Sequence, residues 1–578
     1  MEGQSKNTKW FHRLTKKQIV IATTVLCLIL LVASILLLAS CDTNKVDLKL
    51  GATQIGETQN LKVTWETSEY IDQMTISLYH GKDLVRQELL TDPVAVNAGE
   101  RTVEAFYGKI TVKMEIKKDR YTTSKEKEVK LSASEYNIAP ITATMPVTIF
   151  SLSLPEITDN GRIPTFVWFK RSGAWNWNSL PENVHPMPTA KGNEFYTSDE
   201  KVMYEKTSAY VKELYEINPN SKFHLYYNDY FAYGWVQATI ANGIPTNNYD
   251  VVLLSDGTTS FSYFNKHFDN AETAEKQFSK MASQWATTKK QVAKAGKYDT
   301  KSRTEIKADP LREYAYVMTC EEPNVQWWLT RINGTLAVNN PDMYAKVEAN
   351  TNIKVKDLNT LLKAIQNDAS ENPYLTEASL KKLYNFSDDM FEKAAKNGKK
   401  IMVILGTWTS TENQSNFDQY VRATIAYYGD GFEYYYKGHP KNPTNSEKGK
   451  LEKLTALGLT DIDSTIPAEL IFFFNPEAFC SGFASTTFVS LAPEKCCAVF
   501  NATREAMLGG VDTQGYADKL DIFMSKLNGN LGNITVGNDA YLLEFADTSA
   551  YDIAIFDNEK NTIKYYKKSG DTYTEVTR

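Results

Sequence analysis

The segment Tyr434-Tyr435-Tyr436-Lys437-Gly438-His439-Pro440 joins an aromatic, strand-like run to a turn. Gly438 permits the bend and Pro440 fixes the backbone that leaves it, so the pattern predicts that His439 lies at the carboxyl end of a β-strand. Ligands bind at that edge in open α/β sheets. A histidine there can exchange a proton with an anionic leaving group near neutral pH, or it can be a structural residue that ends the strand.

The composition narrows the class of protein. A length of 578 residues favours two or three domains over a single core. The hydrophobic content of 42% and the charged content of 23% are ordinary for a globular protein, and a net charge of −6 does not favour nucleic acid as a partner. Six cysteines without a C-x-x-C pair favour neither a disulfide framework nor a zinc site, so we expect no metal and no cofactor.

Residues 1–41 form a predicted anchor segment. Basic residues between Lys6 and Lys17 precede an apolar run from Ile19 to Ala39, which is about long enough to span a bilayer with its positive flank inside. Leu38-Ala39-Ser40-Cys41 resembles a bacterial lipobox, in which Cys41 would be lipidated and become the mature N-terminus. The alternative is an uncleaved signal anchor. Both alternatives predict a chain tethered to a membrane at its extracytoplasmic face.

Residues 42–154 alternate apolar and polar side chains in short runs, such as Leu61 to Trp65 and Ile110 to Met114. Turn residues separate these runs. The pattern predicts an antiparallel β-sandwich of the immunoglobulin or fibronectin type. The segment contains no group of residues that could carry chemistry, which leaves it a role as a spacer or as a binding domain.

From residue 155 onward, strand-like runs alternate with amphipathic helical stretches, which favours an α/β fold with parallel sheets. We predict two Rossmann-like lobes, residues 155–392 and 393–578, with a cleft between them. The predicted strands include Thr165–Phe169, Lys222–Tyr227, Val251–Leu254, Lys400–Leu405 and Phe432–Tyr436, and the predicted helices include Asp199–Glu216, Ala271–Ala295 and Leu375–Asn397. Alternating runs near residues 540–545 and 553–556 predict additional strands in the C-terminal tail.

Three further polar stretches follow predicted strands. Leu254-Ser255-Asp256-Gly257 brings a carboxylate into a glycine turn, where it can accept a proton from a hydroxyl, although an ordinary Asp-Gly turn has the same sequence. Gly406-Thr407-Trp408 opens a loop rich in hydroxyl groups, which suits an anion cradle or a plain polar loop. Gly482 to Phe488 combines small residues with hydroxyl groups that can donate to phosphate oxygens.

In this order and at this spacing, the stretches resemble the bacterial sialyltransferases of glycosyltransferase family 80. Lys437-Gly438-His439-Pro440 is intact, and Ala484-Ser485-Thr486 stands where the family has Ala-Ser-Ser. Ile466-Pro467-Ala468-Glu469 is similar to the family segment whose Glu holds the donor ribose. Some members also carry an immunoglobulin-like domain before the transferase lobes. The resemblance covers motifs between Thr165 and about Phe500.

The resemblance implies a GT-B fold and an inverting, metal-independent transfer of sialic acid from CMP-sialic acid to a galactose-type hydroxyl of a glycan. Asp256 would be the general base, and His439 would neutralise or protonate the departing phosphate. Ser485 and Thr486 would bind that phosphate, and Glu469 would bind the ribose. The other predicted substrate-binding residues are Gly257, Thr407, Trp408, Lys437, Gly438, Pro440 and Asp229.

Two departures from the family concern the acceptor side. Ser255 replaces the first of two acidic residues before the glycine, and His224-Leu225 is followed by Tyr226-Tyr227-Asn228-Asp229 rather than by the family's Asn and His. The acceptor and the linkage therefore stay open. The alternative functions are transfer of a different sugar, hydrolysis of the donor by water, and a surface lipoprotein that binds glycans or host proteins through a decayed transferase fold.

Overall fold

The chain separates into two compact units, Met1–Ser132 and Ala133–Arg578, in a computed structural model. The residues that the structure describes are 23–32, 46–90, 98–119, 121–170, 175–188, 200–307, 311–406, 417–440, 444, 449–482, 485, 487–491, 495–501, 540–545, 550–557, 559–570 and 572–578. Residues 23–32 are helical, but no helix in these ranges combines the length and the apolar character needed to cross a membrane. Cys41 lies outside them, so the lipidated anchor stays a prediction.

The first unit contains antiparallel sheets. Its strands are β1 (Leu48–Gln54), β2 (Asn60–Thr67), β3 (Gln73–His80), β4 (Asp83–Leu90), β5 (Ala98–Glu104), β6 (Gly108–Lys118) and β7 (Tyr121–Leu131). They form one sheet in the order β1-β2-β5 and another in the order β4-β3-β6-β7. Leu61, Val63 and Trp65 of β2 are buried, and the residues between them are more exposed, as expected of a strand with one face toward a core. These sheets are compatible with the predicted sandwich.

The boundary between the units falls earlier than the predicted boundary at residue 154. Strand β8 (Glu135–Ile141) pairs in parallel with β9 (Thr165–Phe169) and β11 (Lys222–Asn228), so it belongs to the second unit. Six successive residues of β8, from Tyr136 to Ile141, are buried. A continuous buried run is typical of a strand covered on both faces of a parallel sheet, whereas the strands of the first unit alternate.

The first large sheet of the second unit, called sheet C, is parallel throughout. Its remaining strands are β10 (Val184–Pro186), β12 (Tyr249–Leu254), β13 (Val325–Leu329) and β14 (Ile353–Val355). The spatial order is β10-β9-β8-β11-β12-β13-β14, so the strand order reverses between β8 and β11. Val251 to Leu254 are all buried, which places core on both faces of β12.

The second large sheet, called sheet D, begins at Lys400. Its strands are β15 (Lys400–Leu405), β16 (Phe432–Lys437), β17 (Thr460–Ile462), β18 (Phe479–Gly482), β19 (Cys496–Asn501), β20 (Ala540–Phe545), β21 (Ile553–Asp557), β22 (Thr562–Ser569) and β23 (Thr572–Val576). The order β17-β16-β15-β18-β19 is parallel, and β20 to β23 extend the sheet with antiparallel pairs. The additional strands predicted for the tail are therefore confirmed.

The helices of the second unit are α1 (Thr144–Leu152), α2 (Leu154–Ile157), α3 (Glu200–Ile217), α4 (Tyr233–Ala238), α5 (Thr258–Phe268), α6 (Ala274–Ala295), α7 (Thr300–Glu305), α8 (Ala315–Glu321), α9 (Pro341–Ala349), α10 (Leu358–Gln366), α11 (Glu377–Leu383), α12 (Glu392–Asn397), α13 (Phe417–Tyr428), α14 (Lys450–Ala456), α15 (Ala468–Phe474) and α16 (Thr487–Ser490). The single helix predicted for Leu375–Asn397 is wrong, because it is divided into α11 and α12. Asn385 adopts φ 51°, and this left-handed conformation cannot continue a right-handed helix.

Two apolar clusters cover sheet D. Val403 and Leu405 of β15 belong to one cluster, and Met402 and Ile404 of the same strand belong to the other. Both sets are buried, so β15 is a central strand with core on each face. The predicted division of the second unit into two lobes with a cleft between them stays a prediction.

Candidate active site

Three of the sequence motifs meet at the carboxyl edge of sheet D. Leu405, the last residue of β15, pairs with Lys437 of β16 and with Gly482 of β18. The loops that leave these strands therefore begin side by side. Strands β15 and β18 are also the neighbours between which the strand order of the sheet reverses. The crevice outside the carboxyl ends at such a reversal is where ligands bind in open α/β sheets.

Two glycines allow these loops to approach one another closely. A Cβ atom at Gly406 would lie 2.7 Å from Tyr436 Oη and 3.0 Å from the backbone N of His439. A Cβ atom at Gly482 would lie 2.7 Å from the carbonyl oxygen of Leu405. A side chain at either position would push neighbouring backbone or a buried tyrosine aside. The loop after β15 consequently starts directly against the backbone of His439.

His439 is half-buried at the start of the turn that follows β16, between buried Gly438 and half-buried Pro440. Lys437, just before this turn, is 5% exposed and donates from Nζ to the carbonyl oxygen of Ser464 at 3.1 Å. This bond connects the strand that carries His439 to the segment that leads into α15. The Lys437 ammonium thus has an acceptor within the protein. Its predicted contact with a substrate stays a prediction.

Glu469 and the hydroxyl loop are connected by hydrogen bonds. Glu469 lies in the first turn of α15, and its Oε1 accepts a hydrogen bond from Thr487 Oγ1 at 2.9 Å. Thr487 Oγ1 in turn accepts from Ser485 Oγ at 3.1 Å. The carboxylate predicted to hold a ribose is therefore joined to the loop predicted to bind the adjacent phosphate. Thr487 was absent from the predicted site, although it lies in the same run of hydroxyl residues.

A cavity of about 160 Å³ opens beside Glu469. Its wall is mainly apolar, with Leu362, Phe472 and Phe473 among the lining residues, and Lys495 adds an ammonium group. An apolar wall with a few polar groups is typical of a small-molecule site. Thr407, Trp408 and Thr486 lie outside the described residues, and their predicted roles stay predictions.

The predicted base lies at the carboxyl edge of sheet C. Asp256 follows β12, and Asp229 follows the neighbouring β11. The last residues of these strands, Leu254 and Asn228, are paired, so both aspartates leave the same edge of the sheet. Gly257 adopts φ 64° and ψ −126°, a conformation that favours glycine strongly, and α5 starts directly after it. The strand, the glycine turn and the helix together hold Asp256, which is half-buried, at the sheet edge.

Asp229, whose predicted contact with substrate stays a prediction, has a carboxylate surrounded by protein donors. It is 2% exposed, and its oxygens accept hydrogen bonds from the Tyr230 backbone N–H at 2.7 Å and from Trp327 Nε1 at 2.8 Å. Burial raises the pKa of the Asp229 carboxyl to about 6, although the surrounding donors, first among them the Ser260 side chain, pull in the opposite direction. Its carboxylate is thus committed to protein donors. Sequence reasoning missed Ser260 and Trp327.

Two more polar residues lie at the strand reversal of sheet C, where β8 and β11 are neighbours. The Thr142 backbone N–H donates to Asn228 Oδ1 at 3.0 Å. Thr142 Oγ1 and Asn228 Nδ2 are buried, and neither has a hydrogen-bond partner within the described part of the chain. Asn228 appeared in the sequence analysis only in the stretch that departs from the family, just after the predicted strand Lys222–Tyr227. Thr142 gave no signal, because the segment that contains it was assigned to the β domain.

No group of three or more His, Cys, Asp and Glu side chains in the described ranges is arranged to hold a metal ion. No protein-family model matches the chain, and no curated protein sequence matches it.

Several solved structures are similar to the chain. A sialyltransferase from Photobacterium damsela matches with 12% identity and a TM-score of 0.45, over 78% of this chain and 89% of that one. UDP-GlcNAc 2-epimerase from Neisseria meningitidis, bound to UDP-GlcNAc, matches with 8% identity and a TM-score of 0.35, over 70% and 95% of the two chains. Os79 from O. sativa, in complex with UDP, matches with 10% identity and a TM-score of 0.34, over 61% and 78%. Structural similarity at these identities and TM-scores gives no information about a reaction of this chain.

Proposed function

We propose that the chain is a glycosyltransferase that moves sialic acid from CMP-sialic acid to a galactose-type hydroxyl of a glycan, with inversion and without a metal ion. The pairing of Leu405 with both Lys437 and Gly482 carries the proposal. The loops that lead to His439 and Ser485 therefore leave the same edge of sheet D, at the point where strand order reverses. These are the residues that the motif resemblance assigns to the departing phosphate.

The leaving group of this reaction is CMP, whose phosphate gains negative charge as the glycosidic bond breaks. His439 beside that phosphate would neutralise the charge or donate a proton to it, which lowers the barrier to departure. The Ser485 hydroxyl would donate a hydrogen bond to the same group. These protein groups take the role that a divalent cation has in many other nucleotide-dependent enzymes.

The nucleoside of the donor would lie beside α15. Glu469 can accept hydrogen bonds from a ribose diol, and its bond from Thr487 holds the carboxylate toward the hydroxyl loop. The apolar cavity beside Glu469 would supply a surface for the rest of the nucleoside. This arrangement supports a nucleotide sugar, rather than a free sugar, as the donor.

The acceptor hydroxyl needs a base on the side of the sugar ring opposite to the leaving group. Asp256 would accept its proton as the new bond forms at the anomeric carbon and CMP departs. Asp256 follows a strand of sheet C, and the residues proposed to bind the phosphate follow strands of sheet D, so the two halves of the reaction would use separate sheets. A single displacement of this kind inverts the anomeric configuration.

The direct test is to incubate the chain with CMP-sialic acid and lactose and to analyse the products by mass spectrometry. We expect sialyllactose, and we expect CMP at about 100 times its Kd to stabilise the folded protein by about 2.7 kcal/mol through linkage, measured as a rise in Tm. CMP release without sialyllactose would indicate another acceptor or hydrolysis. If the chain neither consumed the donor nor bound CMP, the proposal would be overturned in favour of a surface-binding lipoprotein.

The close approach at Gly406 leads to a further prediction. Gly406→Ala should lower kcat for sialyl transfer by about 10- to 100-fold, because the added methyl displaces the His439 backbone and small displacements of reacting groups are costly. Gly431→Ala is the matched control, since a Cβ there meets nothing within 4 Å. If the two variants had equal kcat values, the contact at Gly406 would have no part in positioning His439.

A further inference from the structure

A short chain of hydrogen bonds runs from the buried carboxylate of Asp229 to the backbone of the proposed base. The Asp256 N–H donates to Ser260 Oγ at 2.8 Å. The Ser260 side chain and the Asp256 backbone are both hydrogen-bonded to Asp229. An ionised carboxylate can only accept, so the Ser260 proton must point toward Asp229. The Ser260 lone pairs are then available to the Asp256 N–H. The charge state of Asp229 therefore decides the direction of the Ser260 O–H.

The environment of Asp229 keeps this arrangement rigid. Its oxygens accept from the Tyr230 backbone and from Trp327 Nε1, and Trp327 lies on β13, the strand next to β12. Three neighbouring strands of sheet C thus contribute to one network, through residues that follow β11 and β12 and through the indole of β13. A fully satisfied, buried polar network of this kind specifies a single geometry. The network reaches the turn that carries Asp256 through the backbone N–H of that residue.

We propose that Asp229 and Ser260 are positioning residues that hold Asp256 for proton abstraction from the acceptor, in place of the substrate-binding role predicted for Asp229. This inference rests on the proposed transferase function. Neither side chain needs to touch the acceptor. Their contribution is to fix the backbone at Asp256, so that the carboxylate meets the acceptor hydroxyl without a search for the productive orientation.

The titration of Asp229 adds a pH signature. Burial raises the pKa of its carboxyl to about 6, so it is mostly ionised at neutral pH. As the pH falls through about 6, the carboxyl gains a proton and can donate to Ser260, which reverses the direction of that hydrogen bond. Asp229 also lines a pocket, whose other charged and titratable groups are Tyr230, Tyr263, Arg312, Glu313 and Tyr316. His267 is paired with Glu313.

Ser260→Ala is the principal test, because it removes the hydroxyl that is hydrogen-bonded both to Asp229 and to the Asp256 backbone and leaves the direct bond between those two residues. We expect kcat for sialyl transfer to fall by about 10- to 100-fold with an unchanged KM for CMP-sialic acid. Ser262→Ala, on the same helix and half-buried, is the matched control and should keep the wild-type kcat. Melting temperatures of both variants verify that they fold.

Asp229→Asn supplies a readout that a purely structural role would not move. In the wild-type chain, kcat should fall as the pH decreases through about 6, and in Asp229→Asn this fall should vanish while kcat stays low at every pH. His267→Gln should keep the acid-side fall, which separates Asp229 from the nearby histidine.

The outcomes distinguish this inference from the proposed function. A wild-type chain that makes no sialyllactose would overturn the transferase and the positioning role together. A wild-type chain that is active, with Ser260→Ala equally active, would overturn the positioning role alone. Persistence of the fall near pH 6 in a folded Asp229→Asn variant would also overturn it, because a group other than Asp229 would then be titrating there.

Discussion

Asp256→Asn is expected to lower kcat for sialyl transfer by about 10²- to 10⁴-fold, the usual contribution of a general base. The amide has nearly the shape of the carboxylate but cannot take a proton from the acceptor hydroxyl. The turn should survive, because it depends on Gly257 at φ 64° and on the bond from the Asp256 N–H to Ser260, both of which asparagine retains. Affinity for CMP should change little, because the base acts on the acceptor.

Asp250→Asn is a matched control for this prediction, since Asp250 lies near the opposite end of β12 and pairs with Lys222. It should transfer sialic acid at the wild-type rate. Turnover is measured by mass spectrometry and CMP affinity by calorimetry, on the same preparations. A parallel loss of turnover and of CMP affinity in Asp256→Asn would show that the residue supports the donor site and would remove it as the base.

His439→Ala should lower kcat by at least about 10³-fold, because it removes both charge stabilisation and a proton donor from the departing phosphate. The loss should appear mainly in kcat, since charge develops on the leaving group only in the transition state. Gly406 approaches the backbone N of residue 439 and not its side chain. We therefore expect the surrounding loops to keep their positions in His439→Ala.

His185→Ala provides the comparison for His439→Ala. His185 is half-buried on β10 of sheet C, where Nε2 is hydrogen-bonded with Asn183 Oδ1 at 3.1 Å, away from the sheet that carries the phosphate motifs. Its replacement should leave the transfer rate near that of the wild type. A near-wild-type rate for His439→Ala itself would exclude this histidine from the mechanism and would return it to a structural role at the strand end.

Several features could be predicted because they depend on residues close together in sequence. The run Lys400–Leu405 was predicted as a strand and forms β15 with the same bounds, since its apolar side chains suit a buried parallel strand. Asp256-Gly257 was predicted as a glycine turn after a strand, and Gly257 has the positive φ that such a turn uses. The His439 turn after β16 follows from the same local chemistry of glycine and proline.

Short-range patterns failed where pairing partners decide the structure. The run from Tyr136 to Ile141 could pair with the preceding β domain or with the following sheet, and its parallel pairing with β9 and β11 assigned it to the second unit. Likewise, the amphipathic stretch Leu375–Asn397 was predicted as one helix, and the left-handed backbone at Asn385 divides it. Neither result is encoded in hydrophobic periodicity alone.

The sequence by itself determined the α/β class of the second unit, many of its strands, and the chemistry of the residues that follow them, because these depend on local periodicity and turn residues. The tertiary structure alone decided which of those residues meet. Leu405, Lys437 and Gly482 become neighbours only through strand register. Trp327 reaches Asp229 across 98 positions of sequence only because β13 lies beside β12. Contacts of this kind are set by packing between distant segments, which no local pattern specifies.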